Sequence, residues 1–516
     1  MVQVAAVAGP TMKRRVFLAG VSALALARPL AAMPQYVSAM PFDAETVRAM
    51  ARDLASRPFA PRPLIPAPWR DLTYDQYRKF WFDTRRAVWA GEARGFEMDL
   101  FHPGLYFPRA VEVAVVENAT AHRLAFDMDL FDWTDRAPEL PVDATMGFSG
   151  LRLRHVFPGE TNAREFAVFQ GASYFRAIGA AQQYGLSARG LALRTGDPQG
   201  EEFPDFTRMW VETPVPGDDR VVLHALLDSP SVAGAYRFVV QPGPACVMEV
   251  EATLYPRVDL DHAGIAPLTS MFLYDQTNRP RFDDFRPAIH DSDGLSIWNG
   301  AGEMLWRQLA NPVELQVSSF VDENPRGFGL RQRADKLSDF ADLEAHYHER
   351  PSLWIEPMGD WGAGVVRLVE IPSDREIYDN IVAYWRPRVP LAAGEEHRFA
   401  YRMSWHGNAD APGRPDVAPV RDTHMGRNFE GDRWLAAIDF ADHPALSGDL
   451  SDVTLHVSSN QADTSGGILQ RNPETGGARL AFTFDPGERE AAELRAQLMR
   501  GGQAASEVWL YRWTAA

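Results

Sequence analysis

The sequence predicts an all-β protein built as two unequal β-sandwiches, and three observations carry this prediction. Between residues 96 and 405 the apolar residues fall mostly in short strand-like runs separated by Gly, Pro, Asn and Asp, a spacing typical of a β-sandwich and not of alternating strands and helices. Residues 407–423, GNADAPGRPDVAPVRDT, are polar and rich in Pro and Gly, which predicts a linker. The remaining segment has the length of one small sandwich. We therefore place the large sandwich at 33–406 and the small one at 424–516.

The composition indicates a folded, acidic protein. The 516 residues are 46% hydrophobic and 23% charged, and the formal net charge is −17. This balance argues against a disordered chain and against nucleic acid or anionic lipid as a partner, whereas a neutral polysaccharide is compatible with it. The single cysteine, Cys246, forms no internal disulfide, and its apolar neighbours predict a buried small hydrophobe.

Residues 1–32 predict export from the cytoplasm. The run KRRVFL at 13–18 is a twin-arginine signature, residues 16–27 form a moderately apolar stretch, and small residues at 31–32 suit cleavage. The alternative, a short amphipathic surface helix, fits less well because no acidic residue balances the arginines. No later apolar run reaches the length of a membrane span. We therefore predict a twin-arginine signal peptide at 1–32 and a periplasmic protein without a transmembrane segment.

Short strands and a few helical segments are predicted in order along the chain. Strand candidates in the large sandwich include 111–117, 151–157, 220–227, 236–241 and 247–255, and those in the small one are 435–440, 453–458, 478–484 and 508–513. Four segments instead show a helical pattern, namely 43–56, 74–91, 340–349 and 487–500.

One stretch near residue 370 combines carboxylates with aromatic residues. Two predicted strands, 364–371 and 381–385, enclose a polar turn that contains Asp374, Glu376 and Asp379. Carboxylates transfer protons to and from glycosidic oxygens and water, and aromatic faces stack on sugar rings. The aromatic residues beside this turn are Trp361, Tyr384 and Trp385. The composition indicates a carbohydrate site, while an ordinary strand connection with turn-forming residues is the alternative.

Motifs for other chemistries are missing from the sequence. It contains no G-x-S-x-G elbow, P-loop or dinucleotide fingerprint, since GAAQQYGLSARG at 179–190 has the wrong spacing and context. His346 and His348 are the nearest approach to a metal pair, but at i and i+2 on a predicted helix their side chains diverge. We therefore predict no metal site and no cofactor.

Several blocks of the sequence resemble one known family in the order in which that family has them. They are GASYFRAIGAAQQYGLSARGLA at 171–192, GEEFPDF at 200–206, HALLDSPSVAGAYRF at 224–238, GIAPLTSMFLY at 264–274, HDSDGLSI at 290–297, ENPRGFGLRQR at 323–333 and DNIVAYW at 379–385. These blocks resemble the periplasmic glucan biosynthesis G/D family (OpgG/OpgD, MdoG/MdoD). The resemblance implies a large carbohydrate-processing-like β-sandwich followed by an immunoglobulin-like one.

The resemblance also implies roles for three residues. The family's general acid is the Asp that opens DNIVAYW, here Asp379, and its proposed general base is the Asp of HDS-x-G-L-S, here Asp291. The Tyr ahead of R-P-S, associated with proton transfer to that base, is Tyr347. On the residues alone, Asp293 would be as eligible as Asp291, and both lie in a run that could be an ordinary turn.

Substrate contacts are assigned from the same blocks and from the aromatic residues of the central stretch. We expect glucan contacts from Trp361, Trp385, Tyr384, Arg189 and Glu202. Each has a structural alternative, since aromatic side chains also fill cores and charged side chains also form ion pairs. Arg331 and Arg333 lie in a matching block with the same two interpretations.

Two classes of function follow from the resemblance. The first is a glycoside hydrolase or transglycosylase that acts on the β-1,2-glucan backbone of osmoregulated periplasmic glucans. The second is a non-catalytic glucan-binding or assembly factor that works with the membrane glucosyltransferase of glucan synthesis. The presence of Asp379 and Asp291 favours the enzyme. The resemblance also suggests a homodimer.

Export is directly testable at the arginine pair. Replacing Arg14 and Arg15 together with Lys should leave the precursor in the cytoplasm, because this pair is the strong targeting feature of the chain. Cell fractionation followed by immunoblotting measures the distribution. Normal amounts of processed protein in the periplasm of the variant strain would show that export does not use the twin-arginine signature.

Overall fold

The computed structural model describes residues 34–134, 136–407 and 414–515. Its strands form a 16-stranded, a 10-stranded and a 5-stranded sheet together with two 2-stranded pairs, so the predicted all-β fold is confirmed. The predicted signal segment 1–32 lies outside the described residues.

The largest sheet runs through both halves of the chain. It contains two parallel pairs, Asp205–Glu212 beside Glu112–Glu117 and Met304–Gln308 beside Val508–Thr514. Its strands in spatial order are Tyr36–Pro41, Thr120–Leu124, Glu112–Glu117, Asp205–Glu212, Val221–Asp228, Val232–Gln241, Cys246–Pro256, His397–His406, Ser352–Pro357, Gly327–Arg331, Gly294–Trp298, Met304–Gln308, Val508–Thr514, Ala491–Arg500 and Val453–Ser459, with Gln503–Ala504 paired to Ala491–Arg500.

The other sheets are antiparallel. The 10-stranded sheet has the order Gln316–Glu323, Ala363–Glu370, Ile381–Pro387, Ala263–Ser270, Ser187–Arg189, Tyr174–Ala177, Arg164–Gln170, Gly150–His155 and Phe96–Phe101, with Leu191–Leu193 also paired to Ala263–Ser270. The 5-stranded sheet has the order Val420–Arg427, Trp434–Phe440, Ala478–Asp485 and Asp463–Thr464, with Ile468–Arg471 also on Ala478–Asp485. The two small pairs are Phe80–Phe82 with Phe131–Trp133 and Phe272–Tyr274 with Ile289–His290.

The main core lies between the 16-stranded and 10-stranded sheets. The ring centre of Phe238 in the larger sheet lies 5.2 Å from that of Phe169 and 5.1 Å from that of Phe175 in the smaller sheet. Trp405 of the larger sheet contacts Phe175 at 6.1 Å. All four side chains are buried, and large aromatic side chains bury more apolar area than others. These contacts hold the two sheets face to face as one sandwich.

A second core lies between the 5-stranded sheet and the last three strands of the 16-stranded sheet. Phe482 of the small sheet meets Trp509 of the large one edge to face, with ring centres 6.0 Å apart. The strand Val420–Arg427 begins inside the segment 407–423 that the sequence predicts as a linker, and Ala418 already hydrogen-bonds to Ala505 at 2.9 Å. The division of the chain at 407–423 stays a prediction.

A buried ion pair lies where the two sandwiches join. Arg333 donates two hydrogen bonds of 2.8 Å to Glu507, and its guanidinium lies 3.7 Å from the centre of the Trp306 ring. Glu507 also accepts the backbone N–H of Val420 at 2.9 Å. Because both charged side chains are buried, the pair compensates their charges inside the protein, and Arg414 lies 3.7 Å from the same carboxylate.

Helices are few and short in the described residues. The α-helices are Ala44–Ala55, Ala67–Arg70, Tyr74–Tyr77 and Leu337–Phe340, and the 3₁₀ turns are Thr84–Arg86, Met128–Leu130, Arg279–Arg281, Tyr347–Glu349 and Pro444–Leu446. The helix predicted at 43–56 is confirmed as Ala44–Ala55. Asp43 caps it by accepting the N–H of Thr46 at 2.8 Å. Val47 and Ala51 pack against the outer face of the 16-stranded sheet.

The other three predicted helices are wrong. The helix at 74–91 ends at Tyr77, because Phe80 and Phe82 are buried on one face of a strand while Trp81 points to solvent. The segment 340–349 contains only the end of Leu337–Phe340 and the 3₁₀ turn Tyr347–Glu349.

The segment 487–500 contains the strand Ala491–Arg500. Its burial alternates residue by residue, since every second residue reaches the core of the small sandwich. Packing has therefore overridden the helix propensity of its Ala, Glu, Leu and Arg residues.

The ion pair at the junction predicts a large stability effect. Glu507→Ala leaves Arg333 buried without its carboxylate and should lower the free energy of unfolding by about 3–5 kcal/mol. The matched control is Glu303→Ala, which removes a half-exposed pair with Arg495 across the same junction (3.0 Å) and should change it by less than about 1 kcal/mol. Urea denaturation followed by tryptophan fluorescence measures both. Equal effects of the two variants would contradict the structural role of the buried pair.

Candidate active site

Asn380 fixes the position of the neighbouring Asp379. The buried Asn380 side chain accepts the N–H of Phe272 at 2.8 Å and donates to the carbonyl of Phe272 at 2.9 Å. It also donates to the carbonyl of Ile371 at 3.0 Å, which closes the base of the loop 372–379. An amide side chain that makes three backbone hydrogen bonds has a single usable orientation. Asp379 is therefore held beside the strand that begins at Phe272.

Asp291 is anchored to the same short segment. Its N–H donates to the carbonyl of Met271 at 2.8 Å, and the preceding His290 stacks its ring on Phe272 with centres 5.4 Å apart. On the other side, Ser292 hydrogen-bonds to Ser270 through the two hydroxyls at 2.8 Å. Residues 270–272 thus bring together two carboxylates that are far apart in sequence.

Asp291 has a charged partner. The residue is buried, and its carboxylate forms an ion pair with the guanidinium of the buried Arg350. That guanidinium also lies 4.1 Å from the centre of the Tyr347 ring, a stacking arrangement that stabilises a cation. Arg350 therefore compensates the negative charge of Asp291 inside the protein.

Asp379 lacks such a partner. Among the described residues nothing donates a hydrogen bond to its partly buried carboxylate. Burial raises the pKa of Asp379, and the negative charge of Asp291 raises it further, while Arg176 and Arg189 oppose the shift in part. Asp379 consequently keeps its proton at a pH at which an ordinary aspartate has lost it. The two carboxylates differ in environment as a general acid and a general base must.

Tyr347 lies between the two loops that carry the carboxylates. Its hydroxyl donates to Glu376 at 3.1 Å, and Glu376 also pairs with Arg286 at 2.9 Å. Burial raises the pKa of Tyr347 far above the ordinary value. Within the described part of the chain Tyr347 makes no hydrogen bond to Asp291 and reaches it through Arg350. Tyr347 and Glu376 together tie the tip of the loop 372–379 to the protein.

Arg189 lies at the candidate site, whereas Glu202, the second glutamate of GEEFPDF, does not. The buried Arg189 pairs with Glu201 and lies over the rings of Tyr174 and Phe203, at 4.9 and 5.5 Å. Burial raises the pKa of Tyr174 to about 12, with a contribution from the charge of Asp379, which places Tyr174 in the same neighbourhood. Glu202 instead hydrogen-bonds to the N–H and hydroxyl of Ser231 at 3.0 and 2.7 Å and so holds a distant loop.

The three predicted aromatic contacts are packed inside the protein. Trp385 is fully buried in the main core beside Trp361, with ring centres 6.3 Å apart. Trp361 donates its indole N–H to the carbonyl of Ala400 at 3.3 Å. Tyr384 points to the opposite face of its strand and is buried there in a small apolar cluster. These placements favour packing over sugar stacking for all three residues.

Two aromatic side chains on loops near the candidate site reach solvent. Tyr378, directly before Asp379, is 49% exposed, and Phe203, beside Arg189, is 51% exposed. Sequence reasoning missed both, although Tyr378 is adjacent to the motif aspartate. An aromatic residue on a loop next to a strand end is the sequence feature that could have identified them, because aromatic residues within the strands of a sandwich usually pack into its core.

Sequence reasoning also missed Arg350 and Glu201. Arg350 follows Tyr347 by three positions, a spacing that places two side chains on one side of a turn. Glu201 and Glu202 are neighbours on an extended segment, so their side chains point in opposite directions, and local sequence gives no basis for choosing between them.

A cavity of about 440 Å³ lies elsewhere on the molecule, between the helix Ala44–Ala55 and the 16-stranded sheet. Its lining carboxylates are each paired with arginine. Asp228 pairs with Arg257 at 2.8 Å, Glu112 with Arg208 at 3.3 Å, and Asp53 with Arg57. None of the residues predicted for the site lines this cavity. We place the candidate site at Asp379 because the chemistry, and not the size of a cavity, distinguishes it.

In the part of the chain that the structure describes, no helix has the length and apolar character needed to cross a membrane.

Comparisons with known proteins agree with the motifs. The family model described as "Periplasmic glucan biosynthesis protein, MdoG" matches residues 42–513.

Relatives match over almost the full length. Glucans biosynthesis protein G of Rhodopseudomonas palustris is 46% identical over 508 residues, which cover 98% of this chain and 100% of the relative. The protein of the same name from Vibrio cholerae is 46% identical over 477 residues, 92% of this chain and 87% of the relative. That of Bradyrhizobium diazoefficiens is 45% identical over 506 residues, 98% and 100%. The chain therefore belongs to the MdoG family of periplasmic glucan biosynthesis proteins.

Proposed function

We propose that this protein processes the β-1,2-glucan backbone in the periplasm as an inverting glycoside hydrolase or transglycosylase. The observation that carries the proposal is the unequal environment of two neighbouring carboxylates. Asp379 has no hydrogen-bonded or ion-paired partner among the described residues and a raised pKa, while Asp291 is paired with Arg350. Pairs of carboxyl groups with such different surroundings divide the roles of acid and base.

In this proposal Asp379 donates its proton to the glycosidic oxygen as the bond breaks. Asp291 accepts a proton from the attacking water or sugar hydroxyl on the opposite face of the ring, which inverts the anomeric configuration. An inverting pair leaves about 6.5–9.5 Å between its carboxyl groups for that nucleophile. Arg350 and Tyr347 act as positioning residues, since one pairs with Asp291 and the other stacks on Arg350 and anchors the loop of Asp379.

Water exclusion decides between hydrolysis and transfer. If water reaches the acceptor position, the glucan is cleaved, and if a sugar hydroxyl occupies it, the chain is transferred or cyclised. The half-exposed Tyr378 and Phe203 are the aromatic surfaces beside the carboxylates, and we propose that they stack on glucose units. The name of the relatives, glucans biosynthesis protein, favours transfer or trimming during synthesis over degradation.

Replacing the acid tests the proposal. Asp379→Asn should lower the turnover of linear β-1,2-glucan by about 10²–10⁴-fold, because Asn keeps the size of Asp but has no proton to donate to the leaving oxygen. Asp291→Asn should lower it as well. Product release is measured by mass and linkage analysis, together with glucan affinity, which should stay close to that of the unsubstituted protein.

The control lies on the same loop. Asp374 is 84% exposed and pairs only weakly with Arg375 at 4.0 Å, so Asp374→Asn should leave turnover unchanged. Near-normal turnover in Asp379→Asn would exclude it as the acid. If the unsubstituted protein binds linear glucan without converting it, the non-catalytic assembly role is correct instead.

The raised pKa of Asp379 also predicts a pH-dependent stability difference. The folded protein binds this proton more tightly than the unfolded chain does, so the stability of the native protein is full below the unfolded pKa and falls as the pH rises through the folded pKa. Asp379→Asn removes this loss. The variant should therefore have a higher melting temperature than the native protein at pH 8 and nearly the same one at pH 4.

Differential scanning fluorimetry across this pH range measures the effect, with Asp374→Asn as the control that shows none. A lower melting temperature of Asp379→Asn at pH 8 would mean that the ionised carboxylate stabilises the fold, as an ordinary turn aspartate does.

A further inference from the structure

The turn that carries Tyr347 also brings three metal-binding groups together. The sequence predicts that His346 and His348 diverge on a helix, but no such helix forms. His346 adopts a left-handed backbone conformation with φ 49° and precedes the 3₁₀ turn Tyr347–Glu349. As a result the imidazole rings of His346 and His348 lie on the same side of the turn, with centres 5.8 Å apart.

The separations between the donor atoms fit one metal ion. Nδ1 of His346 lies 3.7 Å from Oε1 of Glu349, and Nε2 of His348 lies 3.6 Å from the same oxygen. One donor atom from each of the three residues lies within 4.8 Å of the others. Tetrahedral Zn²⁺ with ligand distances of about 2.1 Å requires donor separations of about 3.4 Å. The two distances to the Glu349 oxygen therefore exceed this spacing by only about 0.2–0.3 Å, and the two histidine nitrogens, at most 4.8 Å apart, need to approach each other for the three groups to share an ion.

A ring nitrogen of this group lacks the hydrogen bond that a buried polar atom normally has. Nδ1 of His346 is closed to solvent and has no hydrogen-bond partner among the described residues, and it is the atom that faces Glu349. A buried polar atom without a partner carries a desolvation penalty. Coordination of a cation would satisfy it.

We propose that His346, His348 and Glu349 bind one divalent transition-metal ion of the kind that prefers imidazole, such as Zn²⁺. Two neutral imidazoles and one carboxylate are a ligand set that suits Zn²⁺ better than Mg²⁺ or Ca²⁺, which prefer oxygen ligands. Three protein ligands leave the fourth position for water. The bound ion would cross-link the turn that contains Tyr347 and precedes Arg350, and so stiffen one wall of the candidate active site. The binding site itself does not depend on the proposed function.

The test is calorimetric titration of tag-free, EDTA-treated protein with Zn²⁺. We expect one ion per chain and a higher melting temperature on loading. His348→Ala and Glu349→Gln should each weaken binding at least about tenfold, because loss of an outer-shell partner alone costs 10–100-fold. Glu349→Gln is the variant that preserves the fold, since the backbone carbonyl of Glu349, which accepts the N–H of Gln183 at 3.1 Å, remains in place.

His456→Ala is the matched control, because His456 is an exposed histidine on a strand of the small sandwich, and it should bind as the unsubstituted protein does. Absence of one-to-one binding at millimolar Zn²⁺ would overturn the proposal. So would variants at His348 and Glu349 that bind as tightly as the unsubstituted protein, since the three residues would then form only a histidine–carboxylate ion pair.

Discussion

The candidate site depends on the three hydrogen bonds of Asn380. This side chain bridges Phe272 and Ile371, so it joins the loop of Asp379 to the strand against which Asp291 is also held. Hydrogen bonds from a buried amide specify direction as well as distance. Like charges repel, so without these hydrogen bonds the polar loop would not hold the carboxylate of Asp379 near that of Asp291. The backbone geometry at 270–272 therefore fixes the positions of the two carboxylates, and these positions determine the electrostatics of the site.

Given that geometry, the position of one arginine gives the two carboxylates different electrostatic environments. Arg350 pairs with Asp291, while among the described residues Arg176 and Arg189 are the cations whose charges lower the pKa of Asp379. Burial raises the pKa of Asp379, and because like charges repel strongly in a low dielectric, the negative charge of Asp291 raises further the pKa of this residue, which has no close cation among the described residues. In the proposed function, the roles of acid and base therefore depend on where the cation lies and need no difference between the two side chains themselves.

The strands could be predicted from the sequence because they are a local property, and the motifs that contain Asp379 and Asp291 are local too, although the roles of the two carboxylates stay a prediction. A strand leaves an alternation of period two, and a motif lies within a few residues. Three of the four predicted helices are wrong, and at 487–500 the reason is that the residues with helix propensity pair with neighbouring strands that the local sequence does not contain. The same holds for Arg350 and Glu201, whose roles depend on segments dozens of residues away.

Sheet geometry explains why the predicted aromatic contacts are in the core. In Ile381–Pro387 successive side chains face opposite sides, so Trp385 enters the main core and Tyr384 the small cluster behind it. Residues 381–385 are buried on both faces of this strand, which leaves no position among them for a sugar ring. Only residues beyond the strand end escape this constraint, as Tyr378 and Asp379 do. In the proposed function, recognition of the glucan therefore falls to the connecting loops, while the strands hold those loops in position.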